Sequence, residues 1–364
     1  MATPKGKAMV ALDLSFAARD GDRAARARAV TLLLSLLLII AVLMSLAIGA
    51  AGTSLWSTLG ALLRGEEISL TDRVVLWQIR APRTLLGMGV GASLAVSGAL
   101  MQGLFRNPLA DPGIVGVGAG AGLGAIAAIV LAGLLPAALA DQLGYYVVPV
   151  AAFLGGWGST LLLYRVATRA GRTSVAVMLL AGIALGALAG AVSGILVYMA
   201  DDTQLRDLTF WGLGSLAGAT WSKVLTGLPI MLPALIAAPF LARGLNALTL
   251  GESAAFHLGV HVQRVKNIAI LSVAAATGAA VAMSGGIGFV GIVVPHLLRL
   301  ASGPDHRQLL VNSALLGASL LLLADIVSRT IVAPSELPIG IVTAVLGAPV
   351  FLWILFRQRG VLDL

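Results

Sequence analysis

Long apolar runs separated by short polar segments recur along the chain from about residue 30 to its end. A helix needs about 20 predominantly apolar residues to cross the hydrocarbon core of a bilayer. This length predicts ten transmembrane helices, near residues 30–50, 82–104, 113–134, 147–167, 174–199, 222–242, 267–284, 287–301, 309–331 and 338–357. The pattern therefore predicts an all-α, polytopic membrane protein.

The seventh and eighth predicted helices come from one long apolar run, which we divide at Gly285-Gly286-Ile287-Gly288. An even number of crossings puts both termini on the same side of the membrane. With both termini in the cytoplasm, 17 of the 24 lysines and arginines fall in cytoplasmic segments. Because cytoplasmic loops carry the excess of basic residues, this distribution predicts cytoplasmic termini.

The polar segments between the runs are short, and none of them reads as a linker or a low-complexity tract. We therefore predict a single transmembrane domain over residues 30–357, with a cytoplasmic N-terminal segment 1–29, a polar cytoplasmic region near 243–266 and a cytoplasmic tail 358–364. The N-terminal segment has mixed charge and is long for the start of a cleavable signal peptide, so the first span is predicted to be retained.

The composition indicates a surface covered largely by lipid. Apolar residues make up 59% of the chain and charged residues 11%, and the mean hydropathy is +0.98; soluble domains carry about 25% charged residues. The net charge of +8 does not indicate a nucleic-acid partner, because the basic residues are scattered between apolar spans. The lack of cysteine excludes disulfides, thiolate metal sites and thiol catalysis.

The sequence carries no signature of catalysis. It has no phosphate loop for ATP hydrolysis, and the glycines from Gly116 to Gly124 follow a period of two that favours helix packing over nucleotide binding. His257 and His261 have the i,i+4 spacing of a metal pair, but no acidic ligands lie nearby, so we interpret them as surface residues. We predict no enzyme, no bound cofactor and no metal site.

The polar cytoplasmic region contains a compact helical pattern between Gly251 and Gly259. Glycine favours the turns beyond a helix end. The pattern predicts one short helix with Glu252 near its positive N-terminus and with Phe256 and Leu258 offered to a partner. The alternative is an amphipathic loop that lies on the membrane surface.

Glycine recurs every four residues in the fifth predicted span, at Gly182, Gly186, Gly190 and Gly194. Such a ridge permits the close approach of another helix backbone. It equally leaves a smooth wall past which a bulky, flat ligand can slide without strong binding. Tight helix packing and a translocation path are therefore both open interpretations.

Motifs spread over residues 75–357 give the chain a specific resemblance. They are Gln78-Ile-Arg80-Ala-Pro82-Arg83, Ser97-Gly98-x3-Gln102, Arg106-Asn107-Pro108-Leu109-Ala110-Asp111-Pro112-Gly113, Leu250-Gly251-Glu252-x2-Ala255-x2-Leu258-Gly259, Gly288-Phe289-Val290-Gly291-x3-Pro295-His296-x2-Arg299, Ala324-Asp325-x3-Arg329, Glu336-Leu337-Pro338-Ile339-Gly340 and Gly347-Ala348-Pro349. In this order they resemble the signature of the FecCD family, the type II ATP-binding-cassette (ABC) importer permeases for haem, ferric siderophores and cobalamin.

The resemblance implies the type II importer fold, in a homodimer with a translocation path along its two-fold axis, beside the fifth helix of each subunit. It also implies two separate ATPase subunits, which bind ATP and Mg, and a periplasmic binding protein that delivers the ligand. The chain itself is then a permease subunit. The coupling helix, which seats in the ATPase cleft in this family, corresponds to Leu250, Gly251, Glu252, Ala255, Leu258 and Gly259.

Three arginines at the predicted outer boundary, Arg80, Arg83 and Arg329, match positions similar to those that pair with glutamates of the binding protein. Exposed salt bridges contribute about 0–1 kcal/mol each, so they suit orientation and encounter rate in a transient complex. The alternatives are anchoring in lipid headgroups and, for Arg329, an i,i+4 ion pair with Asp325.

The stretch Leu205–Leu216 is similar to haem-importer permeases, and we predict ATP-driven uptake of haem across the bacterial inner membrane. Ferric siderophores and cobalamin are the alternative substrates. No histidine is predicted at mid-membrane to coordinate iron, so passage would depend on shape. A second class, a proton- or sodium-coupled transporter, needs buried ionisable groups near the midplane; Asp325 is the clearest candidate, and Arg329 lies one turn away to neutralise it.

Overall fold

A computed structural model of the protein describes residues 15–49, 60, 64, 69–134, 136, 138, 144–169 and 172–362. The start of the predicted N-terminal segment and the end of the predicted tail lie outside these residues. The described helices are α1 (Ser15–Ala47), α2 (Leu70–Phe105), α3 (Val117–Val130), α4 (Val147–Ala167), α5 (Val175–Met199), α6 (Asp202–Leu213), α7 (Trp221–Leu248), α8 (Glu252–His257), α9 (Val262–Ser284), α10 (Val290–Ser302), α11 (His306–Thr330) and α12 (Ile339–Leu362). A two-stranded antiparallel hairpin, β1 (Thr168–Arg169) and β2 (Arg172–Thr173), precedes α5.

Ten of these helices occupy the positions of the ten predicted spans. Seven of the described helices are long and apolar enough to cross a membrane, and α3, α10 and α12 are shorter apolar helices. At 1.5 Å per residue, the 14 residues of α3 extend about 21 Å, less than a hydrocarbon core about 30 Å thick. Short 3-10 turns at Pro112–Val115 and Ala132–Leu134 extend the α3 run at both ends. The predicted all-α, polytopic fold class is confirmed.

The start of α2 departs from the prediction. The helix begins at Leu70, and not near residue 82, and it passes through a π-helical segment, Val75–Arg80, into the apolar part Ala81–Phe105. The predicted start came from the length of the apolar run, and the more polar segment before residue 82 continues the same helix. Because the helix is continuous across this point, Arg80 lies inside the bundle and not in a loop.

The centre of the bundle is α2, which packs against α7, α9, α10 and α11. Glycines at these contacts let the helix backbones approach closely. A Cβ atom on Gly91 would overlap the backbone carbonyl of Gly317 in α11, and one on Gly98 would overlap that of Gly291 in α10. Since lipid is as apolar as the helices, close backbone packing is a main source of helix association in membranes.

The glycine run at the start of α3 also serves packing, as predicted. Cβ atoms on Gly120 and Gly124 would overlap the backbone carbonyls of Gly155 and Ala151 in α4. A Cβ on Gly118 would meet nothing within 4 Å. The period of two therefore alternates glycines that touch α4 with glycines that do not.

The predicted division between the seventh and eighth spans is confirmed. Helix α9 ends at Ser284, and Gly285 has a φ of +72°, a left-handed conformation that glycine adopts without steric cost. The polar backbone of the break is paired with the segment after α6: the Ser215 N–H donates to the Ser284 carbonyl at 2.7 Å. Five residues separate the end of α9 from the start of α10 at Val290.

Candidate functional site

A six-residue helix, α8, projects apolar side chains from the end of the bundle that α7 and α9 share. Gly251 and Gly259 flank it with φ values of +104° and +79°. Leu250, Phe256 and Leu258 are 69%, 70% and 64% exposed. The predicted short helix between two glycines is thus confirmed. Large apolar side chains clustered at the surface mark an interaction site.

The outer face of α8 is exposed, while the helix is anchored on its inner side. Ala255 is fully buried, and Glu252 forms a salt bridge of 2.7 Å, from its Oε1 to the Nζ of Lys266 in α9. The same Nζ donates to the carbonyl of Thr173 at 2.8 Å, and Lys266 is only 2% exposed. A buried lysine therefore joins α8, α9 and strand β2.

A second residue of α9 strengthens the link to the hairpin. The amide of Gln263 accepts from the Thr173 N–H at 3.0 Å and donates to the Thr173 hydroxyl at 2.6 Å. Helix α5 begins two residues after Thr173, with Ser174 as its N-cap. Movement of α8 can therefore reach α5 through Lys266, Gln263 and Thr173. The sequence analysis did not find this link, because the partners are 14, 90 and 93 residues apart.

The end of α7, close to α8 in the chain, is bound to the start of α11. Asn246 donates from its Nδ2 to the Oδ1 of Asp305 at 2.6 Å, and its Oδ1 accepts from the backbone N–H of His306 at 3.0 Å. Burial alone would raise the pKa of Asp305, but hydrogen bonds from the Arg307 N–H and the Asn246 amide outweigh it, and the pKa of Asp305 is lowered. The carboxylate thus stays charged as the N-cap of α11.

At the opposite end of α2, Arg83 is the centre of a buried ion network. Its Nε and Nη2 donate to Asp325 of α11 at 2.9 to 3.1 Å, and its Nη1 and Nη2 donate to Glu336 at 2.8 and 2.9 Å. Arg83 is 4% exposed and Asp325 is 1% exposed. Paired, forked hydrogen bonds of this kind are the strongest that arginine makes.

Two further arginines attach the end of α1 to this network. Arg329 lies 3.7 Å from Asp325, measured from Nε to Oδ2, and its Nη2 donates to the Ser45 carbonyl at 2.8 Å. Arg80 donates from Nη1 to the carbonyls of Leu46 and Ala47 at 2.7 and 3.0 Å. The two arginines therefore donate hydrogen bonds to carbonyls at the C-terminal end of α1, which have no acceptor role within the helix because no further helical N–H follows them.

This geometry bears directly on the predicted docking residues. Arg80, Arg83 and Arg329 are 3%, 4% and 4% exposed, so their guanidinium groups face the interior and not an outer surface. The i,i+4 pair of Arg329 with Asp325, the alternative from the sequence, is present. A docking role for the three arginines stays a prediction. Sequence analysis did not foresee the pairing of Arg83 with Glu336, which is 253 residues away.

The predicted glycine ridge lies on α5. Among the seven described helices that are long enough to cross a membrane, α5 has the smallest share of buried residues. Cβ atoms on Gly186, Gly190 and Gly194 would meet nothing within 4 Å. Packing against the described residues of one subunit therefore does not explain these three glycines. Gly182 lies at the start of the ridge and lines a cavity of about 420 Å³ together with Asp111.

Asp111 connects that cavity to a larger one. The second cavity, about 440 Å³, is lined by Asp111, by Trp211 in the last turn of α6, and by the glycine-rich break that runs through Phe289. The Asp111 Oδ1 accepts from the Gly113 N–H at 2.7 Å, which makes it the N-cap of the turn before α3. Asp111 thus borders both the larger cavity and the cavity that Gly182 lines, a placement that the motif around Asp111 did not reveal.

The histidines predicted to lie at the surface, His257 and His261, are exposed. His296 and His306, by contrast, are buried at 5% and 0% exposure. Among the residues that the structure describes, no group of three or more histidine, aspartate and glutamate side chains is placed to hold a metal ion.

These features define a class: a polytopic helical bundle with an exposed glycine-lined helix face and a small apolar helix anchored at one end is the membrane permease of a transporter. The chain belongs to the FecCD transport family, which matches residues 37–357. The predicted family is confirmed.

The similarity to proteins of known name covers nearly the whole chain. It is 45% identical over 336 residues to the hemin transport system permease protein HmuU of Yersinia pestis, covering 90% of this chain and 96% of the relative. It is 43% identical over 326 residues to the vitamin B12 import system permease protein BtuC of Escherichia coli, covering 90% and 94%. A solved structure of a metal-chelate type ABC transporter, in an inward-facing conformation, matches with a TM-score of 0.79 at 33% identity and covers 91% of this chain and 99% of that one. The protein is therefore a multi-pass permease component of an ABC importer.

Proposed function

We propose that the protein carries haem from the periplasm to the cytoplasm across the bacterial inner membrane. The observation that carries the proposal is the 45% identity with a hemin permease over 96% of that protein's length. The vitamin B12 permease at 43% identity makes cobalamin the second candidate, and ferric siderophores are the third. All three are bulky chelates.

The described part of α5 suits a large, flat cargo. Its residues Val175–Met199 include no acidic, basic or histidine side chain. Three ridge glycines are open to the surroundings, so the face that Gly182, Gly186, Gly190 and Gly194 share is smooth and uncharged. We infer that this face lines the translocation path, where weak contacts let the cargo pass without being trapped.

The substrate is tested by reconstituting the permease in vesicles with its ATPase and binding protein. We expect ATP-dependent accumulation of haem in preference to cobalamin and to a ferric siderophore, measured as ligand retained inside the vesicles. The same vesicles without ATP are the control. Faster uptake of cobalamin or of the siderophore would overturn the haem assignment and leave the importer class intact.

In the proposed assembly, two copies of the permease bind two ATPase subunits, which hold ATP and Mg, and one periplasmic binding protein. The apolar cluster of Leu250, Phe256 and Leu258 supports α8 as the element that seats in the ATPase. Hairpin β1–β2 and α8 are in contact through Lys266, as expected if both lie on the cytoplasmic side. That side is also the one we propose for both termini.

The coupling mechanism follows from the anchors of α8. Nucleotide-driven closure of the ATPases moves α8 as a rigid body. The salt bridge from Glu252 to Lys266 passes the displacement to α9, and the bond from Lys266 to Thr173 passes it to the start of α5. The glycine-lined face then shifts relative to its symmetry mate. Gly251 and Gly259 supply the left-handed turns that orient α8.

Replacing Lys266 with methionine tests this link. The change removes two charge-assisted hydrogen bonds, each worth about 1.5–3 kcal/mol, so we expect transport per ATP hydrolysed to fall by about tenfold or more while hydrolysis continues. Gly259→Val should act in the same direction, since a φ of +79° costs a branched residue roughly 1–2 kcal/mol. The measurement is the ratio of ligand uptake to phosphate release in proteoliposomes.

Leu271→Ala is the matched control, because Leu271 lies on α9 together with Lys266 but is 47% exposed and lies outside α8. It should leave the ratio of uptake to hydrolysis unchanged. An unchanged ratio in Lys266→Met and Gly259→Val as well would remove α8 from the coupling path.

We also propose that the outer arginines contribute to docking of the binding protein, through Arg83. Glu336 is 36% exposed at its side chain and pairs with the Nη1 of Arg83, so a carboxylate of a partner could take its place. Glu336→Gln weakens the internal competitor and is expected to tighten association with the binding protein by about two- to fivefold at low salt, within the range of one exposed ion pair. Affinity is read from equilibrium binding to the permease in nanodiscs. Equal affinity at all salt concentrations would limit the three arginines to a structural role.

The ion-coupled alternative finds little support in the geometry. Asp325, its candidate, is bound by Arg83 and lies beside Arg329, so its carboxylate is already neutralised. Ligand accumulation in vesicles that lack the ATPase, driven by a proton or sodium gradient alone, would restore that alternative.

A further inference from the structure

A cavity of about 350 Å³ opens between α7 and α9, at the ends that flank α8. Neither the proposed path nor the coupling link uses it. Its apolar lining comes from both helices and consists of Ala237, Phe240, Leu241, Val265 and Ile268. Two basic side chains, His261 and Arg264, complete the lining at the start of α9. The cavity is therefore amphipathic, with its polar groups on one side.

The cavity spans the boundary between the apolar and polar parts of both helices. In α7, residues Val224–Ala242 contain no ionisable side chain, and Arg243 follows at once. In α9, residues Ile268–Ser284 contain none either, and Arg264 lies just before them. Phe240 is 81% exposed, as expected of a side chain that faces hydrocarbon. The two basic groups thus lie where lipid headgroups meet acyl chains.

Arg264 forms no ion pair within the described part of the chain. Lys266, two residues later, points inward to Glu252 and Thr173. Arg264 and His261 are exposed, and among the described ion pairs none involves either residue. A guanidinium group at the rim of an apolar cavity favours an anionic group that carries an apolar tail.

We propose that this cavity binds an anionic phospholipid of the surrounding bilayer. The phosphate lies between the Arg264 guanidinium and the His261 imidazole, both of which can donate hydrogen bonds to it. One acyl chain lies against Phe240 and Ile268. Basic pockets between transmembrane helices on the cytoplasmic side bind anionic headgroups in this manner. Because α7 and α9 flank α8, the lipid braces the coupling helix from the membrane side.

The apolar lining distinguishes a lipid from a free anion. Inorganic phosphate would gain the two basic contacts but nothing from Ala237, Phe240 and Ile268. A phosphatidylcholine would fill the apolar part, but its choline cation would lie near the guanidinium. The arrangement therefore predicts preference for phosphatidylglycerol over both.

The test uses the full-length permease in nanodiscs of mixed phosphatidylglycerol and phosphatidylcholine. After release into detergent, native mass spectrometry counts the phosphatidylglycerol molecules retained by each chain. We expect Arg264→Gln to weaken retention about fivefold, the effect of one basic residue near an anionic surface, and the added change His261→Gln to weaken it further. Ala237→Phe fills the cavity with both charges in place, and it should also release the lipid.

Arg307→Gln is the matched control, since Arg307 is exposed on α11 and does not line the cavity. It should retain phosphatidylglycerol as the unaltered protein does. Equal retention in all variants would overturn the proposal. So would displacement of the lipid by inorganic phosphate, which would indicate a free-anion site, or equal retention of phosphatidylcholine. Thermal midpoints measured after complete removal of lipid, expected to be the same for all variants, show that any loss of lipid reflects the cavity and not unfolding.

Discussion

Replacing Asp325 with alanine is expected to destabilise the permease by about 3–5 kcal/mol, the usual cost of removing one partner from a buried ion pair. Arg83 would lose three hydrogen bonds to the carboxylate, and Arg329 would lose its nearest negative charge. The buried guanidinium groups of Arg83 and Arg329 would then share Glu336 as their remaining carboxylate, which leaves one positive charge without a partner. A loss of this size is comparable with the whole stability of many domains.

The effect is measured as the free energy of unfolding in mixed micelles, together with the yield of folded protein. Asp207→Ala, an exposed aspartate on α6, is the control and should change the free energy by less than about 0.5 kcal/mol. The double variant Arg83→Met with Asp325→Leu leaves Arg329 and Glu336 to balance each other. It should therefore cost less than the sum of the two single changes. An additive result would contradict a coupled network.

The second large effect is expected on transport and not on stability. Gly190→Trp places an indole ring on the open face of α5, where a Cβ meets nothing within 4 Å. We expect uptake of haem to fall by about tenfold or more, since rigid bulk in a narrow path blocks a large ligand. The free energy of unfolding of the subunit should change by less than about 0.5 kcal/mol, as for surface positions in general.

Two glycines of α3 provide the controls. Gly122→Trp adds the same ring at another glycine whose Cβ meets nothing within 4 Å, and it should leave uptake unchanged. Gly120→Ala places a Cβ against the Gly155 carbonyl and 2.5 Å from the Cβ of Ser159, and it should destabilise the fold by about 1–3 kcal/mol. If Gly190→Trp instead separates the two copies of the permease, the ridge is a packing surface between subunits and not a path.

The sequence alone identified the features that depend on neighbouring residues. Apolar run length predicted ten helix positions, since crossing a bilayer needs a fixed number of residues. Gly251 and Gly259 predicted the ends of α8, because only glycine adopts left-handed turns at little cost. The division at Gly285 follows from the same property. Each of these inferences uses a short segment of chain.

The tertiary structure decided what depends on residues far apart in the chain. Arg83 and Glu336 are separated by 253 positions, and Lys266 and Thr173 by 93. No local sequence pattern therefore predicts either pair. An arginine near the end of a span is equally compatible with a surface and with a buried partner. Only the folded arrangement shows that a carboxylate is close enough to offset the cost of removing the guanidinium from water.

The glycines of α3 and α5 show the same division. Both helices carry regularly spaced glycines; the sequence favoured packing for those of α3 and left packing and an open face as alternatives for those of α5. In the folded chain Gly120 is covered by α4, whereas a Cβ atom on Gly190 meets nothing within 4 Å in the described part of the chain. Spacing along a helix sets which residues share a face, but the position of the neighbouring helix decides whether that face is filled.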